Sequence, residues 1–524
     1  MGDHARRLLV VVILLAGAYL RSPNLLGPWL GVHNAWGGAV YGGIARNFSR
    51  YGYGETRLGP VSNSGLAARE EFEYYYHYPP LLVWLVSLSY QAFGVHEWSA
   101  RLVPLSFSLL LMALVYRFAW RAFSRSVGLV SLLFSAVLPI ESYYGAHVDV
   151  YGSVAVFFSL LTVYGYFRWL TTRARLHLAM CMAGVVFGCM TAWYTYFVVP
   201  LILVHYYRRE GEPGSPRSHR LLILPAAAVG VFLLFLLHRE VVLADAKGEL
   251  YGTLLEKLRI RASFPRVVGG RELSTLQLGR HVLRDVVRMF SAPLLALAGL
   301  GLALFARDRV RGRLGDGDWC LLILLAFGLF HSLAFPSLVP GHDYLAVCYA
   351  PGVSVAAAVT FAWAIERIGR EWNQTARTTA VGALLAVIVG VSLAGTRRLR
   401  SEDDLKWAQT LVRWGEIIRR LSPPRASVLS PDAPDRVFQY YADRAMVFRA
   451  DTVEEVRAAE VKDRGDRRPP PLFVCPRRSA GDYAEVLSYL DGKYRAQEEG
   501  GLIAYVLDAR ASAPAAPAAG PGEP

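Results

Sequence analysis

The chain is 524 residues long, 54% hydrophobic and only 19% charged, with a mean hydropathy of +0.29. That profile is a membrane protein's and excludes an ordinary soluble domain or a disordered chain. A formal net charge of +14 would point a soluble protein toward nucleic acid, but these arginines fall between apolar runs, where they orient a chain in a bilayer, and no nucleic-acid partner is expected.

The first apolar run, LLVVVILLAGAYL, follows Arg6 and Arg7 and is succeeded by Arg21 and Ser-Pro-Asn, not by a small-residue cleavage site, so it reads as a retained anchor. Runs of comparable hydrophobicity begin near residues 8, 100, 127, 150, 177, 195, 221, 292, 319, 344 and 378. With about 20 apolar residues needed per crossing, this predicts about eleven spans. Arginine-rich breaks such as Arg117/Arg121/Arg125, Arg168/Arg173/Arg175 and Arg208/Arg209/Arg217/Arg220 should be cytoplasmic, as should the N-terminus. The breaks ESYYGAHVDV and PSLVPGHDY carry no Lys or Arg and should face outside. Parity between Arg6/Arg7 and Arg121/Arg125 then leaves residues 79 to 94 uncrossed, as an outer interfacial helix of about 24 Å.

Two long outer loops result, residues 22–101 and the basic, amphipathic 239–291. From residue 396 the chain turns polar and alternates helix-like stretches with the strand-like ASVL, AMVF, PLFVC and LIAYVL. The expected architecture is an all-α polytopic membrane domain over 1–395 with outer interfacial helices, a small extracytoplasmic α/β domain over 396–509, and a disordered Ala/Pro tail over 510–524. Of the five cysteines, Cys181, Cys189, Cys320 and Cys348 lie in or beside apolar segments and Cys475 is alone in the tail, so no disulfide framework or zinc spacing is present.

In the first loop, IARNFSRYGYG followed by YYYHYPPLLVWLVSLSYQAFGVHEWSARLVP resembles the membrane glycosyltransferases that use polyprenyl-phosphate sugars. These form the GT-C superfamily (family 39) of protein O-mannosyltransferases and of the enzyme that adds aminoarabinose to lipid A. The matching stretches are Tyr78-Pro79-Pro80, Glu97 to Leu102, and PIESYYGAHVDV, and the resemblance covers roughly residues 1–360. It implies a GT-C-like fold in the plasma (inner) membrane, a polyprenyl-phosphate-linked sugar as donor, and an extracytoplasmic protein, lipid or glycan as acceptor. It leaves a divalent cation optional, and the sequence requires none. The family places an Asp a few residues before Ile-Ala-Arg-Asn; here that window is HNAWGGAVYGG, and no carboxylate stands between Asp3 and Glu55.

Transfer from a polyprenyl phosphate needs a base for the acceptor proton and cations for the departing phosphate. Asp149, in AHVDVYG at the outer end of the third span, either caps the next span or is the functional carboxylate, with Glu141 as a second candidate. His33 and Asn34 occupy the vacated window, where they are either a solvated loop pair or one of them orients or deprotonates the acceptor. The resemblance assigns Arg259, Arg261 and His77 to the donor phosphate, with attraction to anionic lipid as the blander account of the arginines and an aromatic interfacial belt that of His77. It also assigns Tyr78, Tyr144, His342, Asp343 and Tyr344 to the pocket lining. Glu97 and Arg101 are spaced to pair along a helix, and Asn47-Phe48-Ser49 fits a glycosylation pattern that arises often by chance. The leading reading is a glycosyltransferase. The alternative is a catalytically inactive relative that binds lipid phosphate or serves as an assembly subunit. A transporter is disfavoured, because the polar residues gather at the outer ends of spans and not at mid-membrane.

Overall fold

The computed structural model describes residues 2–508 except 211–217, 250–252, 264–266, 269–270, 273, 311–313, 339–341, 369–371, 402–404, 432–434, 449 and 466–468. The predicted disordered tail, 510–524, lies outside the described residues. Helix α1 (Asp3–Arg21) leads into α2 (Val32–Glu55), α3 (Leu81–Phe93) and α4 (Glu97–Ala122). Then come α5 (Arg125–Val137), α6 (Pro139–Tyr144), α7 (Ser153–Thr172), α8 (Arg175–Cys189), α9 (Val198–Glu210) and α10 (Ile223–Leu243). The bundle closes with α11 (Leu254–Ala262), α12 (Thr275–Phe290), α13 (Ala292–Val310), α14 (Asp316–Ala334), α15 (Ala350–Ile368) and α16 (Gln374–Ser401).

Every predicted apolar run falls on one of these helices, but they are not equally long. Six helices among the described residues are long and apolar enough to cross a membrane, or seven if the bent pair Val282–Phe290 and Ala292–Arg307 counts as one span. The third predicted span is interrupted: α5 has 13 residues and stops at Leu138 (φ −58°, ψ 123°). Pro139 explains the break, since its ring pushes the preceding residue out of the helical region and it has no N–H to continue the ladder. The runs at 177 and 195 give α8 with 15 residues and α9 with 13, the latter extended by a short 3-10 turn over Trp193–Phe197. The predicted interfacial helix over residues 79 to 94 is present as α3, packed against both α2 and α4. Ser291 adopts a left-handed backbone (φ 63°) between α12 and α13, and the two helices meet there at 104°. Helix α12 consequently lies across the end of the bundle, against α6 and α16.

The predicted domain boundary at 396 falls inside α16, which runs unbroken to Ser401. Beyond it come α17 (Leu405–Leu421), β1 (Ser427–Ser430), α18 (Arg436–Ala442), β2 (Ala445–Phe448), α19 (Val453–Gly465), β3 (Leu472–Pro476), α20 (Ala484–Asp491), β4 (Ala496–Glu499) and β5 (Leu502–Val506). They build a five-stranded sheet ordered β2-β1-β3-β5-β4, parallel through β2, β1 and β3 and antiparallel thereafter. All four anticipated strands are present. The unanticipated one, β4, reads AQEE and is exposed along its length, as a charged edge strand should be. Gly500 (φ 60°) and Gly501 (φ 79°) supply the two left-handed residues of its hairpin turn.

Alternation along the strands gives the sheet two buried faces. Val428, Leu472, Val474 and Leu502 join the core that continues through α17 and α18 into the membrane domain, whereas Leu429, Phe473, Cys475 and Tyr505 form a separate core under α19 and α20. The α/β unit is clasped to α2: Asp443 takes Arg50 through both oxygens (2.8 and 2.6 Å) and Arg46 at 3.0 Å. Tyr441 accepts the Trp29 N–H and donates to Glu97, each at 2.8 Å. Glu97 and Arg101 therefore do not pair with each other. Arg101 instead grips the carbonyls of Leu25 and Pro28 at 3.0 and 2.7 Å and lies over the Trp29 ring, a better use of a forked donor than one exposed helical pair. Asn47 is fully buried and donates to the carbonyls of Val61 and Asn63, so it is a loop brace and not a modification site.

Candidate active site

The turn between α6 and α7 holds Asp149, which is 3% exposed. One carboxylate oxygen, Oδ1, accepts the Tyr151 N–H at 2.7 Å, and the other, Oδ2, lies 2.9 Å from His33 Nε2. Asp149 thus braces the turn ahead of α7 and does not cap the span, whose N-cap is Gly152. Helix α2 brings His33 to it by approaching very closely: a Cβ on Gly37, one helical turn beyond His33, would stand 2.8 Å from the Val148 carbonyl. Only glycine permits that contact, and it sets the distance between the two chemical groups.

The His33 ring is stacked on Tyr344 (3.7 Å between centroids, 14° between planes) with Tyr144 edge-on at 6.0 Å. Nε2 faces Asp149, and Nδ1 has no hydrogen-bond partner among the described residues while the side chain keeps 19% exposure. The site therefore combines an imidazole oriented on one side by a carboxylate and open on the other. Asn34, next in sequence, turns away and donates to the Leu30 carbonyl at 3.1 Å, so of the two candidates it is His33 that meets the carboxylate.

Tyr144 donates to Asp343 at 2.7 Å, and Arg288 from α12 completes an ion pair with the same carboxylate at 3.1 Å. Arg288 is a component that the sequence reading missed; its only signal was a basic residue near the end of a strongly amphipathic helix. His342 shares Nδ1 with the Leu338 carbonyl at 2.9 Å. Burial and the nearby His33 and Arg261 outweigh that hydrogen bond and hold the imidazole below its usual range, hence neutral at pH 7. A neutral ring bonded in this way carries its proton on Nδ1 and presents Nε2 as an acceptor.

Of the two arginines on α11, Arg261 enters the site and Arg259 is exposed, which corrects their equal treatment above. Arg261 donates through Nη2 to the Tyr78 hydroxyl at 3.0 Å, and its guanidinium lies 5.0 Å from that ring's centroid. Its Nη1 is buried with no partner among the described residues, an open donor on a cation. Burial raises Tyr78 above the usual phenol range against the pull of Arg261, so it stays protonated. Tyr78 packs edge-on against Tyr151 (5.3 Å), and Tyr151 is 6.3 Å from Tyr344. One aromatic wall therefore runs from the imidazole to the guanidinium. His77 is buried in that wall against Tyr75 at 4.7 Å, and its carbonyl takes the Trp193 indole N–H.

Glu141 is not in this cluster. It is buried in an ion pair with Arg21 at 3.1 Å, and Arg21 also donates to Ser108 and to the carbonyls of Gly17, Ser135 and Ala136. Among the described residues no group of three or more His, Cys, Asp or Glu converges as a metal site.

Solved structures share this architecture. ArnT from Cupriavidus metallidurans bound to undecaprenyl phosphate matches with a TM-score of 0.62 at 15% identity, over 98% of this chain and 100% of that one. Archaeal oligosaccharyltransferase AglB from Archaeoglobus fulgidus, in complex with an inhibitory peptide and a dolichol-phosphate, matches with a TM-score of 0.55 at 12% identity, over 97% and 74% of the two chains. The chain is thus a multi-pass membrane protein with the fold of the GT-C glycosyltransferases. In sequence, residues 77–241 match the family described as dolichyl-phosphate-mannose-protein mannosyltransferase. No curated protein matches the chain.

Proposed function

We propose that this chain is an integral-membrane glycosyltransferase that moves a sugar from a polyprenyl-phosphate donor to an extracytoplasmic acceptor. The observation that carries this reading is the shared aromatic wall, with a carboxylate-oriented imidazole at one end and a buried guanidinium with an open donor at the other. With its Nε2 proton held by Asp149, His33 takes the acceptor's proton on Nδ1 as the acceptor attacks the anomeric carbon. The sugar–phosphate bond breaks, and Arg261 stabilises the charge that the polyprenyl phosphate carries away. His33 with Asp149 thereby fills the role of the missing first-loop acid.

An apolar cavity of about 420 Å³ is lined by Trp193, Phe197, Phe232, Leu258 and Phe335. It suits an isoprenoid chain: Leu258 stands one turn before Arg261 on α11, and Phe197 and Phe335 both pack on His331, itself 5.5 Å from Tyr151. The relatives' bound lipid phosphates support a donor of this class. The clasp of the C-terminal unit on α2 supports an extracytoplasmic place for that unit on the same side as the dyad.

The test is release of polyprenyl phosphate from a labelled polyprenyl-phosphate sugar by the purified protein with membrane extract as acceptor source. His33→Ala and Asp149→Asn should each lower it by about 10²–10⁴-fold. Retained turnover in both variants would remove the dyad from the reaction. Absence of turnover with any donor, together with binding of polyprenyl phosphate, would favour the lipid-phosphate-binding or assembly subunit.

A further inference from the structure

One buried nitrogen close to the aromatic wall takes no part in the proton transfer. His331, in the last turn of α14, is 2% exposed, and its Nε2 has no hydrogen-bond partner among the described residues. Buried side-chain nitrogens are hydrogen-bonded as a rule, so an open one calls for a ligand or a water. The rings around it are Tyr151 at 5.5 Å, Tyr194 at 5.9 Å, Phe197 at 6.0 Å and Phe335 at 5.2 Å between centroids.

His331 stands at the junction of two features. On one side, Phe197 and Phe335 are walls of the apolar cavity. On the other, Tyr151 packs against Tyr78, whose hydroxyl accepts from Arg261. Arg261 carries the second open nitrogen, the buried Nη1, and His331 lies within reach of its charge. No Asp or Glu stands in 257–271 or 319–342, the stretches that carry these two residues, so no neighbour along the chain supplies a counter-charge. The cavity also opens sideways between α9 and α10. Pro200 and Val229, which line it, are exposed, and α10 is long and apolar enough to cross the membrane, so an apolar ligand can enter from the bilayer.

We propose that His331 Nε2 and Arg261 Nη1 together hold the phosphate of the lipid donor, with its first isoprene units on Phe197 and Phe335 and the rest of the chain leaving between α9 and α10. This rests on the glycosyl-transfer reading and adds a phosphate-binding residue from a second helix. Phosphate oxygens supply what both nitrogens lack, a charged acceptor. Protonated at Nε2, the imidazole donates to one oxygen while the guanidinium donates to another. A free phosphate ion would satisfy the nitrogens and leave the apolar cavity unfilled, whereas a lipid phosphate does both.

The experiment measures binding of a polyprenyl phosphate, of the polyprenol of the same chain length and of inorganic phosphate to the purified full-length protein in detergent. Native mass spectrometry and the shift in thermal unfolding report it. H331F keeps an aromatic ring among aromatic neighbours and removes the donor. It should weaken polyprenyl-phosphate binding by about 10–100-fold and leave polyprenol binding unchanged. H331Q, which restores an N–H at similar reach, should recover most of the loss. Inorganic phosphate at equal concentration should not displace the lipid. Equal binding of polyprenyl phosphate by H331F and the unaltered protein would overturn the proposal and leave the glycosyl-transfer reading standing. So would an equal loss of polyprenol binding, H331Q as weak as H331F, or full displacement of the lipid by inorganic phosphate. Failure of the unaltered protein to bind polyprenyl phosphate would overturn both.

Discussion

Glu141, on α6, and Asp149, in the turn that follows it, are both almost wholly buried, at 2% and 3% exposure. Their partners separate them. Glu141 faces Arg21, a permanently charged group whose other nitrogens are consumed by Ser108 and backbone carbonyls, so the pair is closed on every side but one glutamate oxygen. Asp149 faces His33, a group able to gain or lose a proton, with its second nitrogen open. A buried carboxylate held by a saturated arginine ties helices together; one held by a half-free imidazole is equipped for proton transfer.

Substitutions can break or sharpen this contrast. The largest expected effect is that of Asp149→Asn, with turnover down by about 10²–10⁴-fold and little change in melting temperature. Glu141→Gln should do the reverse. It leaves Arg21 buried without its counter-charge, costing about 3–5 kcal/mol of stability, while turnover per folded molecule is kept; thermal unfolding measured beside activity separates the two. If Glu141→Gln folded normally and lost turnover, the division of roles would be wrong.

Gly37→Ala comes next. The new methyl meets the Val148 carbonyl, so α2 must back away from the Asp149 turn, costing about 1–3 kcal/mol and lengthening the His33–Asp149 contact. Turnover should fall further than the stability loss explains, and His33 should report a changed environment by NMR.

The smallest effect concerns pH at the clasp. Burial opposes the charged form of Asp443, but Arg46 and Arg50 together outweigh it and hold the carboxyl below its usual range. A carboxyl lowered on folding stabilises above its ordinary value of about 3.9 and loses that contribution only as pH falls through the lowered one. The α/β unit should therefore remain docked at pH 5 and loosen only in stronger acid. Proteolytic susceptibility of the segment joining α16 to α17 would check this, and Asp443→Asn should loosen it already at neutral pH.

The sequence by itself determined the helices, because each apolar run is a local property that a membrane or a protein core will bury as a helix. It determined the central strands of the α/β unit for the same reason, through period-two burial, and missed β4 because an edge strand has no buried face to encode. It singled out Asp149, His33, Arg261 and Tyr78 as residue types suited to the chemistry, and the match of residues 77–241 lies within the stretch in which the resemblance was visible. What only the tertiary structure decided was which of these meet. The pairing of His33 with Asp149 spans 116 positions of chain and depends on a glycine contact, Arg261 is chosen over Arg259 by the face of one short helix, and Arg288 arrives through a 104° bend at Ser291. Hydropathy and spacing describe neighbours along the chain. Proximity across the bundle is set by helix packing and turn geometry, and these sum over many residues, none of which announces the contact alone.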